Sequence, residues 1–419
     1  MIFTELVRTL ILCAAIGASS AAFAAGPPAC DGDNGKIKLP SGFCATVVAN
    51  DLGTARHMAV APNGDLYVAL QSGGVVALHD SSGNGHFDVK EKIGDGSSTG
   101  VALHNGYLYV ARTDSVIRYK MTPGQLKPTG AMEVVVSGLV AGRDHSDKGI
   151  AFDGKGSLYV NVGAPANACQ TPDRSKMTKG TDPCPLLENS GGIWKFDESK
   201  LGQKQSDGTR FATGLRQPLA IAWNGNALFL VMNNRDQLDT LWGNMFTAKE
   251  NAERPAEPMY RATQGSNFGW PYCFYDYGLK KLLLNPEYGG DGKAIGRCSQ
   301  FDLPVAAFPA HWAPVDLMFY TGSQFPAKYR GGAFVAFHGS WNRAPMPMDG
   351  YNVTFQPFKD GKPSGEFEIF ADGFAGVTPL MSPGKAEARA DGVAQGPDGS
   401  LYISDSQKGK IWRVMYRGK

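Results

Sequence analysis

A short turn followed by an apolar strand occurs six times along the 419-residue chain. The copies are 62–68 (PNGDLYV), 104–110 (HNGYLYV), 153–160 (DGKGSLYV), 224–231 (NGNALFLV), 330–337 (RGGAFVAF) and 397–404 (PDGSLYIS). In each copy a Gly or Asn-Gly provides the positive φ of a tight hairpin turn, and the residues that follow favour a strand. Self-similar all-β units at intervals of about 40 residues are typical of propeller blades. The repetition therefore predicts an all-β fold, a six-bladed β-propeller with long inter-strand insertions.

Length and composition are compatible with one repeat domain. Repeat folds grow by adding units, so a single propeller accounts for the predicted mature chain at 25–419. The 53 Gly and 26 Pro residues fit many short strands joined by turns. With 41 Lys and Arg against 39 Asp and Glu, the formal net charge is +2, and no block of like charges occurs. This pattern indicates neither nucleic acid nor a membrane surface as a partner.

Residues 1–24 are predicted to be a signal peptide. Arg8 precedes the apolar run 9–16, and Ala22-Phe23-Ala24 has the small-x-small pattern that signal peptidase recognises. The apolar run is too short to span a bilayer, and a buried N-terminal helix is the alternative interpretation. We expect the mature protein to be secreted or periplasmic, with no membrane span.

The cysteines support an oxidising compartment. Removal of Cys13 with the signal leaves three pairs that are local in sequence, which are Cys30 with Cys44, Cys169 with Cys184, and Cys273 with Cys298. Pairing of neighbours closes only short loops, and we expect these three disulfides. A metal site formed by these cysteines is disfavoured because no Cys-x-x-Cys occurs. The same absence excludes an attached Cys-x-x-Cys-His haem, so any electrons would pass to a separate acceptor.

Two stretches, 164–192 and 242–312, are longer than ordinary connections between strands and contain two of the cysteine pairs. Long stapled loops on a propeller face commonly shape a binding site, and decorative insertions are the alternative. The second stretch is rich in aromatic residues, which either wall a ring-shaped ligand or form core beneath the loop. They are Tyr260, Phe268, Trp270, Tyr272, Phe274, Tyr275 and Tyr277.

His145 and Arg216 occupy equivalent positions just before predicted strands. A neutral imidazole at such a position can take up a proton, although a structural histidine is the alternative for an isolated residue. Arg343 and Arg389 also adjoin strand units. Several arginines that converge on one channel would suit a ligand with more than one carboxylate or phosphate, whereas solvated surface arginines are the simpler interpretation of each alone.

Two segments offer the oxygen ligands that calcium prefers. Asn233 and Asn234 begin the segment NNRDQL, which follows an apolar strand. The segment 80–91 (DSSGNGHFDVKE) matches a calcium loop at several positions, with Ser82 as a weak third ligand. No helix pattern flanks it, so an ordinary hairpin turn is an equal alternative to a structural calcium loop. The candidate ligands there are Asp80, Asn84, Asp88 and Glu91.

Longer motifs carry a resemblance to a known family. They are LRQP at 215–218, NRDQL at 234–238, FGWPY at 268–272, HWAP at 311–314, FPAKYRGGAF at 325–334, FHGSWNR at 337–343 and GPDG at 396–399. The pattern resembles the soluble glucose and sorbosone dehydrogenases that depend on pyrroloquinoline quinone (PQQ), and it is nearer to the sorbosone branch. The resemblance spans residues 40–417 approximately.

This resemblance implies a propeller that holds PQQ and Ca²⁺ at its central channel and oxidises a sugar or a hydrated aldehyde. It implies that His145 is the base that removes the hydroxyl proton while hydride passes to the quinone. Arg216 and the neighbouring Gln217 would contact the quinone. Main-chain oxygens of Asn233 and Asn234 would ligate the calcium. The alignment of this loop with the family's calcium ligands can shift by one residue.

The chain also departs from the family pattern. Arg389 resembles a group that pairs with the cofactor carboxylates, but a second such arginine is replaced by Asp391. A lysine over the cofactor is replaced at Asn342, with Arg343 adjacent, and the acidic residue that orients the base falls near Ala164. We therefore expect an aldose, a sorbosone-like aldehyde or a related sugar as the substrate, rather than glucose itself.

Two other functions are alternatives. A calcium-dependent lactonase also uses a six-bladed propeller and attacks a ring ester with metal-bound water, which requires several Asp, Glu or Asn side chains in the channel. A non-catalytic sugar-binding propeller would explain the missing acidic partner and the altered cofactor contacts.

Overall fold

The computed structural model describes residues 28–418, so the predicted signal peptide at 1–24 lies outside the described residues. Six antiparallel four-stranded units surround a central channel, which confirms the predicted six-bladed β-propeller. No helix in this part of the chain is long and apolar enough to cross a membrane.

The strands follow one another blade by blade. The first strand is β1 (Phe43–Ala49). Blade one follows it and is β2 (Ala55–Val60), β3 (Leu66–Leu70), β4 (Gly74–His79) and β5 (Val89–Ile93). Blade two is β6 (Ser98–His104), β7 (Tyr107–Arg112), β8 (Ser115–Lys120) and β9 (Glu133–Ser137). Blade three is β10 (Ile150–Phe152), β11 (Ser157–Val162), β12 (Gly192–Asp197) and, after the short β13 (Gln203–Lys204), β14 (Thr209–Thr213).

Blade four begins with β15 (Gln217–Asn224) and β16 (Ala227–Asn233), which are followed by the short helices α1 (Leu238–Leu241) and α2 (Ala248–Glu253) and by β17 (Glu257–Ala262). The insertion then contributes β18 (Ser266–Asn267), β19 (Cys273–Asp276) and β20 (Lys281–Leu284), and β21 (Ala306–Phe308) completes the blade. Blade five is β22 (Pro314–Phe319), β23 (Ala333–His338), β24 (Tyr351–Gln356) and, after the hairpin β25 (Phe358–Lys359) and β26 (Lys362–Pro363), β27 (Glu368–Ala371). Blade six contains β28 (Ala390–Gln395), β29 (Leu401–Asp405) and β30 (Ile411–Tyr416). Short 3₁₀ turns span Asn34–Lys36, Pro185–Glu188, Gln205–Asp207, Pro286–Tyr288, Gly296–Gln300, Ala327–Tyr329 and Pro383–Lys385.

Each sequence repeat leads from the first to the second strand of one blade. The six connections join β2 to β3, β6 to β7, β10 to β11, β15 to β16, β22 to β23, and β28 to β29. Gly106 and Gly399 sit in two of these turns with φ of 77° and 84°, where a side chain would be strained. The second strands are almost entirely buried because they lie between the blades on either side.

The six first strands, β2, β6, β10, β15, β22 and β28, contact one another in a closed ring around the channel. Glycine allows these strands to approach closely. A Cβ on Gly392 of β28 would lie 2.5 Å from the carbonyl oxygen of Arg56 in β2. A Cβ on Gly149, just before β10, would overlap the carbonyl oxygen of Leu219 in β15. Neighbouring blades therefore meet backbone to backbone at the channel.

The ring is closed by the N-terminal strand. β1 pairs with β30, so the last blade takes its outer strand from the start of the chain. The Cys30–Cys44 disulfide ties the preceding segment to β1. Cys169–Cys184 and Cys273–Cys298 staple the two insertions, so all three predicted disulfides are confirmed.

The two insertions pack against each other. Trp270 Nε1–H donates to the carbonyl of Asn167 at 2.9 Å, and Arg297 pairs with Asp182 at 2.6 Å. Most of the aromatic residues of the second insertion are buried, with Phe268, Trp270 and Phe274 each 1% exposed. They form core beneath the insertions, which was the alternative to a ligand wall.

The segment 80–91 comprises the turn between β4 and β5 and the start of β5, so it forms part of a β-hairpin. The Asp80 carboxylate accepts the N–H of Gly85 at 2.6 Å, and Asp88 accepts the N–H of Ser81 at 2.8 Å. Glu91 lies within β5 opposite Ala77, and its carboxylate is 3.7 Å from Lys127 Nζ. The Asp80 and Asp88 carboxylates are thus engaged within the segment, and a structural calcium site there stays a prediction. Within residues 28–418 there is no cluster of three or more His, Cys, Asp or Glu side chains suited to a metal ion.

Candidate active site

A polar cavity of about 330 Å³ opens at the end of the channel where the first strands begin. Its volume lies within the range of small-molecule sites. Most lining residues come from the starts of strands or the loops before them, and the others from the ends of β16 and β23 and the loops that follow these strands. Residues predicted from the sequence that line it are His145, Arg216, Gln217, Asn233, Asn234 and Asn342.

His145 is held in one tautomer. Its Nδ1 lies 2.5 Å from the carbonyl oxygen of Ala164, which can only accept, so Nδ1 carries the proton and Nε2 is unprotonated. Nε2 has no hydrogen-bond partner among the described residues, and His145 lines the cavity. Burial, together with the charge of Arg216, lowers the pKa of His145 to about 4. A neutral imidazole with a free acceptor nitrogen therefore faces the cavity.

Ala164 joins the two residues that the sequence placed at strand starts. Its N–H donates to the carbonyl of Arg216 at 2.7 Å, and its own carbonyl accepts a hydrogen bond from His145 Nδ1–H. Neither candidate acid near His145 takes this role. Asp144 lies 3.6 Å from Arg174, and Asp147 binds Arg56 and Thr99. A backbone carbonyl therefore orients the imidazole where the family pattern has a carboxylate.

Asp236 links Arg216 to Asn342. Its Oδ2 accepts from Arg216 Nη2 at 2.6 Å and its Oδ1 accepts from Asn342 Nδ2 at 2.9 Å. His311 Nδ1 is 3.6 Å from the same carboxylate. Burial alone would raise the pKa of Asp236, but Arg216, His311 and Arg174 outweigh it and hold the pKa below its usual range. Asp236 is therefore ionised and fixes the orientation of the Arg216 guanidinium.

The loop that carries Asp236 is anchored from behind. Arg235 is 1% exposed and makes a two-point ion pair with Glu287, at 2.6 and 3.0 Å. Asn167, next to the first stapled loop, donates to the carbonyl of Asp236 and accepts its N–H. Both insertions thus hold this loop, which connects them directly to the cavity.

Arg56, at the start of β2, is a cavity residue that sequence reasoning missed. It donates to Asp147 at 2.5 Å and to Asp391 at 2.9 Å. Asp391, which stands where the family pattern has an arginine, thus supplies a carboxylate that pairs with Arg56. Each of the two arginines that line the cavity, Arg56 and Arg216, is already paired with an acid.

Arg343 and Arg389 do not line the cavity. Arg343 donates to the carbonyls of Ala252 and Pro347, where it braces two loops. Arg389 donates to the carbonyls of His338 and Gly339 and lies 4.6 Å from the ring of Trp341. Arg389 thus lies directly behind two lining residues, His338 and Trp341. A role of Arg343 and Arg389 in binding the cofactor stays a prediction.

Trp341 presents an aromatic surface at the cavity. It is 59% exposed although it lies against Arg389, which supports the ring from behind. An exposed indole beside a polar cavity is a platform on which a sugar or another ring can stack.

Gln217 approaches His145 because residue 163 is glycine. A Cβ on Gly163 would overlap Gln217 Oε1 and would lie 2.6 Å from the carbonyl oxygen of His145. Gln217 Oε1 is buried and has no hydrogen-bond partner within the described residues. Its Cα pairs with that of Asn233, so the amide lies beside the loop predicted to hold calcium.

The side chains of Asn233 and Asn234 are used structurally. Asn233 donates to the carbonyl of Pro314 at 2.8 Å, and Asn234 donates to the carbonyl of Ala256 at 2.9 Å. The Asn234 N–H donates to Glu257 Oε2 at 2.8 Å. The Asn234 Oδ1 accepts the N–H of Arg235 at 2.8 Å. Binding of a cation by the main-chain oxygens of these two residues, as the resemblance implies, stays a prediction.

The acids that line the cavity outnumber its arginines. Two arginines face three acids, Asp147, Asp236 and Glu257. Burial, with the charges of Arg389 and Arg56, lowers the pKa of His338 well below its usual value, so this lining histidine adds no charge. An anionic ligand would thus enter favourably only together with a cation.

Two of the missed residues, Arg56 and His311, share a signal in the repeats with Asp391. Arg56, His311 and Asp391 lie at or just before a first strand, as His145 and Arg216 do. Aligning the repeats by their hairpin turns would have brought all five positions to the same end of the channel. Glu257 starts a third strand and has no such signal.

Comparison with known proteins identifies similar chains. The family model described as TrAA12-like matches residues 37–417. The chain is 28% identical over 121 residues to a pyrroloquinoline quinone-dependent pyranose dehydrogenase of Coprinopsis cinerea, an alignment that covers 26% of this chain and only 16% of that protein.

Solved structures cover nearly the whole chain. The calcium structure of the Trichoderma reesei protein of Carbohydrate-Active Enzymes Family AA12 has a TM-score of 0.73 at 18% identity and covers 91% of this chain and 97% of that one. The holo form of the pyranose dehydrogenase PQQ domain from Coprinopsis cinerea has a TM-score of 0.69 at 17% identity and covers 93% and 98%. At these identities the structural likeness establishes the fold alone.

Proposed function

Because the chain belongs to the TrAA12-like family, we propose that it is a secreted PQQ- and calcium-dependent oxidoreductase. Its substrate would be an aldose, a sorbosone-like aldehyde or a related sugar, and a separate electron acceptor would receive the electrons. Residues 25–419 would form the mature domain, after removal of 1–24 as a signal peptide. Similarity to a pyranose dehydrogenase and to a PQQ-bound relative supports this proposal over a sorbosone-specific enzyme.

One observation carries the proposal. His145 presents an unprotonated Nε2 to a cavity that also contains the guanidinium of Arg216, and Ala164 joins the two residues through its backbone. The backbone of Ala164 therefore positions both the base, His145, and the cation, Arg216. A base that is neutral at physiological pH can accept the hydroxyl proton of a sugar without first losing its own.

The cavity is suited to the cofactor only in part. Arg216 Nε and Arg56 Nε are buried without hydrogen-bond partners among residues 28–418, so these guanidinium groups retain unused donors. Arg216, Gln217 and Asn342 would hold the quinone edge, and Trp341 would support a flat ring. Because acids already pair with both arginines, calcium is needed to balance the cofactor carboxylates.

The proposed chemistry assigns separate tasks to the residues. PQQ, when bound, would accept the hydride from the substrate carbon. His145 Nε2 would remove the substrate hydroxyl proton. Burial and Arg216 disfavour the resulting imidazolium, and Asp236 and Asp144 offset part of that cost. Arg216, oriented by Asp236, would stabilise negative charge that develops on an oxygen at the far side of the cavity.

The test uses metal-stripped mature protein that is titrated with PQQ plus CaCl₂, followed by dye reduction over a panel of aldoses, sorbosone and simple aldehydes. We expect saturable cofactor uptake and reduction that depends on sugar. His145→Ala should lower the turnover rate by about 10² to 10⁴-fold while cofactor uptake persists. His86→Ala, at a histidine in the β4–β5 turn, is the matched control and should leave turnover unchanged.

The same experiment addresses the alternatives. Failure of PQQ to bind would remove the dehydrogenase proposal. Hydrolysis of sugar lactones by the calcium-loaded protein would then support a lactonase, and sugar binding without turnover would support a carbohydrate-binding protein. Unchanged dye reduction by His145→Ala would show that His145 is not the base.

A further inference from the structure

Glu257 is an unusual buried carboxylate. It is 3% exposed, begins β17 and lines the cavity. No Lys, Arg or His nitrogen within the described part of the chain lies within ion-pair distance of it, and its one hydrogen bond is accepted from the N–H of Asn234. A buried carboxylate without a counter-charge is costly unless a cation joins it.

Three other buried acids of this fold have such a partner, whereas Asp405 instead accepts the backbone N–H groups of Arg389, Gln407 and Lys408. Glu287 pairs with Arg235 at 2.6 Å, Asp276 with Arg254 at 2.6 Å, and Asp391 with Arg56 at 2.9 Å. Glu257 therefore differs from them in its missing counter-charge rather than in its burial. It also differs in facing a cavity, where a mobile cation can reach it.

Residues with neutral oxygen groups line the same cavity as the carboxylate. The Asn234 backbone is joined to Glu257 by the hydrogen bond at 2.8 Å, and Asn233 precedes it. Gln217 lies opposite Asn233 in the β15–β16 register, and its buried Oε1 has no partner within residues 28–418. Hard divalent cations such as Ca²⁺ prefer a set of carboxylate, amide and backbone oxygens.

We propose that Glu257 is a carboxylate ligand of Ca²⁺ at this cavity, so that the protein binds the cation by itself and before the anionic quinone. The inference rests on the proposed function for the identity of the second ligand. The order follows from charge, because the cavity has three acids and two arginines before any cation enters. Binding of calcium converts the excess of negative charge into a site that can receive the carboxylates of the cofactor.

The test is calorimetric titration of metal-stripped, quinone-free mature protein with CaCl₂ alone, accompanied by thermal unfolding with and without calcium. Glu257→Gln keeps the shape of the side chain and removes its charge. Glu253→Gln, at an exposed acid of α2 on the same connection, is the matched control. We expect wild type and Glu253→Gln to bind one calcium per chain, and Glu257→Gln to bind it at least about tenfold more weakly.

Thermal unfolding separates a ligand from a merely structural residue. Calcium should raise the Tm of wild type and Glu253→Gln but not that of Glu257→Gln. Without calcium, Glu257→Gln should unfold at the same temperature as wild type or higher, because it removes an unpaired buried charge. Equal calcium affinity for wild type and Glu257→Gln, or no binding of calcium by the quinone-free wild type, would overturn the inference.

The two proposals can fail separately. Calcium binding that depends on Glu257, without uptake of PQQ, supports this inference and contradicts the dehydrogenase. Sugar oxidation with PQQ and calcium, in a protein that binds no calcium before the quinone, supports the dehydrogenase and contradicts this inference.

Discussion

At the scale of residues, the site depends on pairs that lie far apart in the sequence. His145 and Arg216 were identified because each precedes an apolar strand, and the structure brings them together through Ala164. Asp236 was not identified, because an acid in a turn after a strand is usually solvated. Its importance comes from the guanidinium beside it, which only the three-dimensional arrangement of blades three to five reveals.

The histidine tautomer gives the first prediction at this scale. Because the folded protein lowers the pKa of His145 to about 4, we expect its Nε2 to stay unprotonated well below the ordinary histidine pKa of about 6.5. ¹⁵N NMR of the histidine rings in cofactor-free protein measures this, and His145→Gln assigns the resonance. Protonation of Nε2 near pH 6.5 would contradict the buried, carbonyl-bound geometry.

The same shift has a consequence for stability. The unfolded chain binds a proton at His145 between pH values of about 6.5 and about 4, whereas the folded protein does not. Proton uptake therefore favours unfolding, and the contribution of His145 to stability is present above this window and is lost as the pH falls through it. Urea unfolding at a series of pH values should show a smaller acid loss for His145→Gln than for wild type.

Asp236 gives the next prediction. Asp236→Asn leaves the buried Arg216, which is 2% exposed, without its counter-charge. Breaking a buried pair by removing one partner typically costs about 3 kcal/mol or more of unfolding free energy. Asp144→Asn, which removes a partly exposed partner of Arg174, should cost less than about 1 kcal/mol. Similar losses for the two variants, measured by urea unfolding, would show that Asp236 does not hold Arg216.

At the scale of elements, the repeats predicted each blade because the turn and the strand after it are specified locally. Glycine fixes the turn conformation, and a run of apolar, β-branched and aromatic residues favours the strand that follows. The two short strands added at the edges of blades two and three were not predictable in this way. β13 and β18 are two-residue strands that pair in parallel with β9 and β14, and such short pairings depend on where the insertions return.

The close approach of the first strands can be tested with one methyl group. Gly392→Ala would place a Cβ 2.5 Å from the Arg56 carbonyl oxygen and 3.0 Å from His57 Cα, so β28 and β2 must separate. Both contacts are backbone atoms, which cannot move aside as a side chain can. We expect a loss of about 1 to 3 kcal/mol of unfolding free energy.

Gly384→Ala is the control for this variant. A Cβ on Gly384 meets no atom within 4 Å, and neither glycine has a positive φ. The substitution should therefore leave the unfolding free energy nearly unchanged. An equally small effect of Gly392→Ala, measured by the same chemical unfolding, would mean that the two strands are not in contact through their backbones.

At the scale of the whole molecule, the disulfides have different tasks although their loops are alike. Cys30–Cys44 and Cys169–Cys184 are separated by 14 and 15 residues, so each should restrict the unfolded chain by a similar amount, about 3 kcal/mol in the loop-entropy estimate. The first tethers β1, which closes the ring against β30. The second staples residues 169–184, which directly follow the segment whose Asn167 holds Asp236 at the cavity.

This difference predicts how the two double variants diverge. Cys30→Ser with Cys44→Ser should lower the Tm and leave uptake of PQQ with calcium intact in the folded protein, because the ring closure is remote from the cavity. Cys169→Ser with Cys184→Ser should lower the Tm to a similar extent and also weaken uptake, because Asp236 and thereby Arg216 lose a fixed position. Thermal unfolding and cofactor titration on both variants measure the two effects. Since the loop lengths are matched, equal losses of uptake would mean that ring closure and cavity are one cooperative unit, contrary to the separation argued from the contacts.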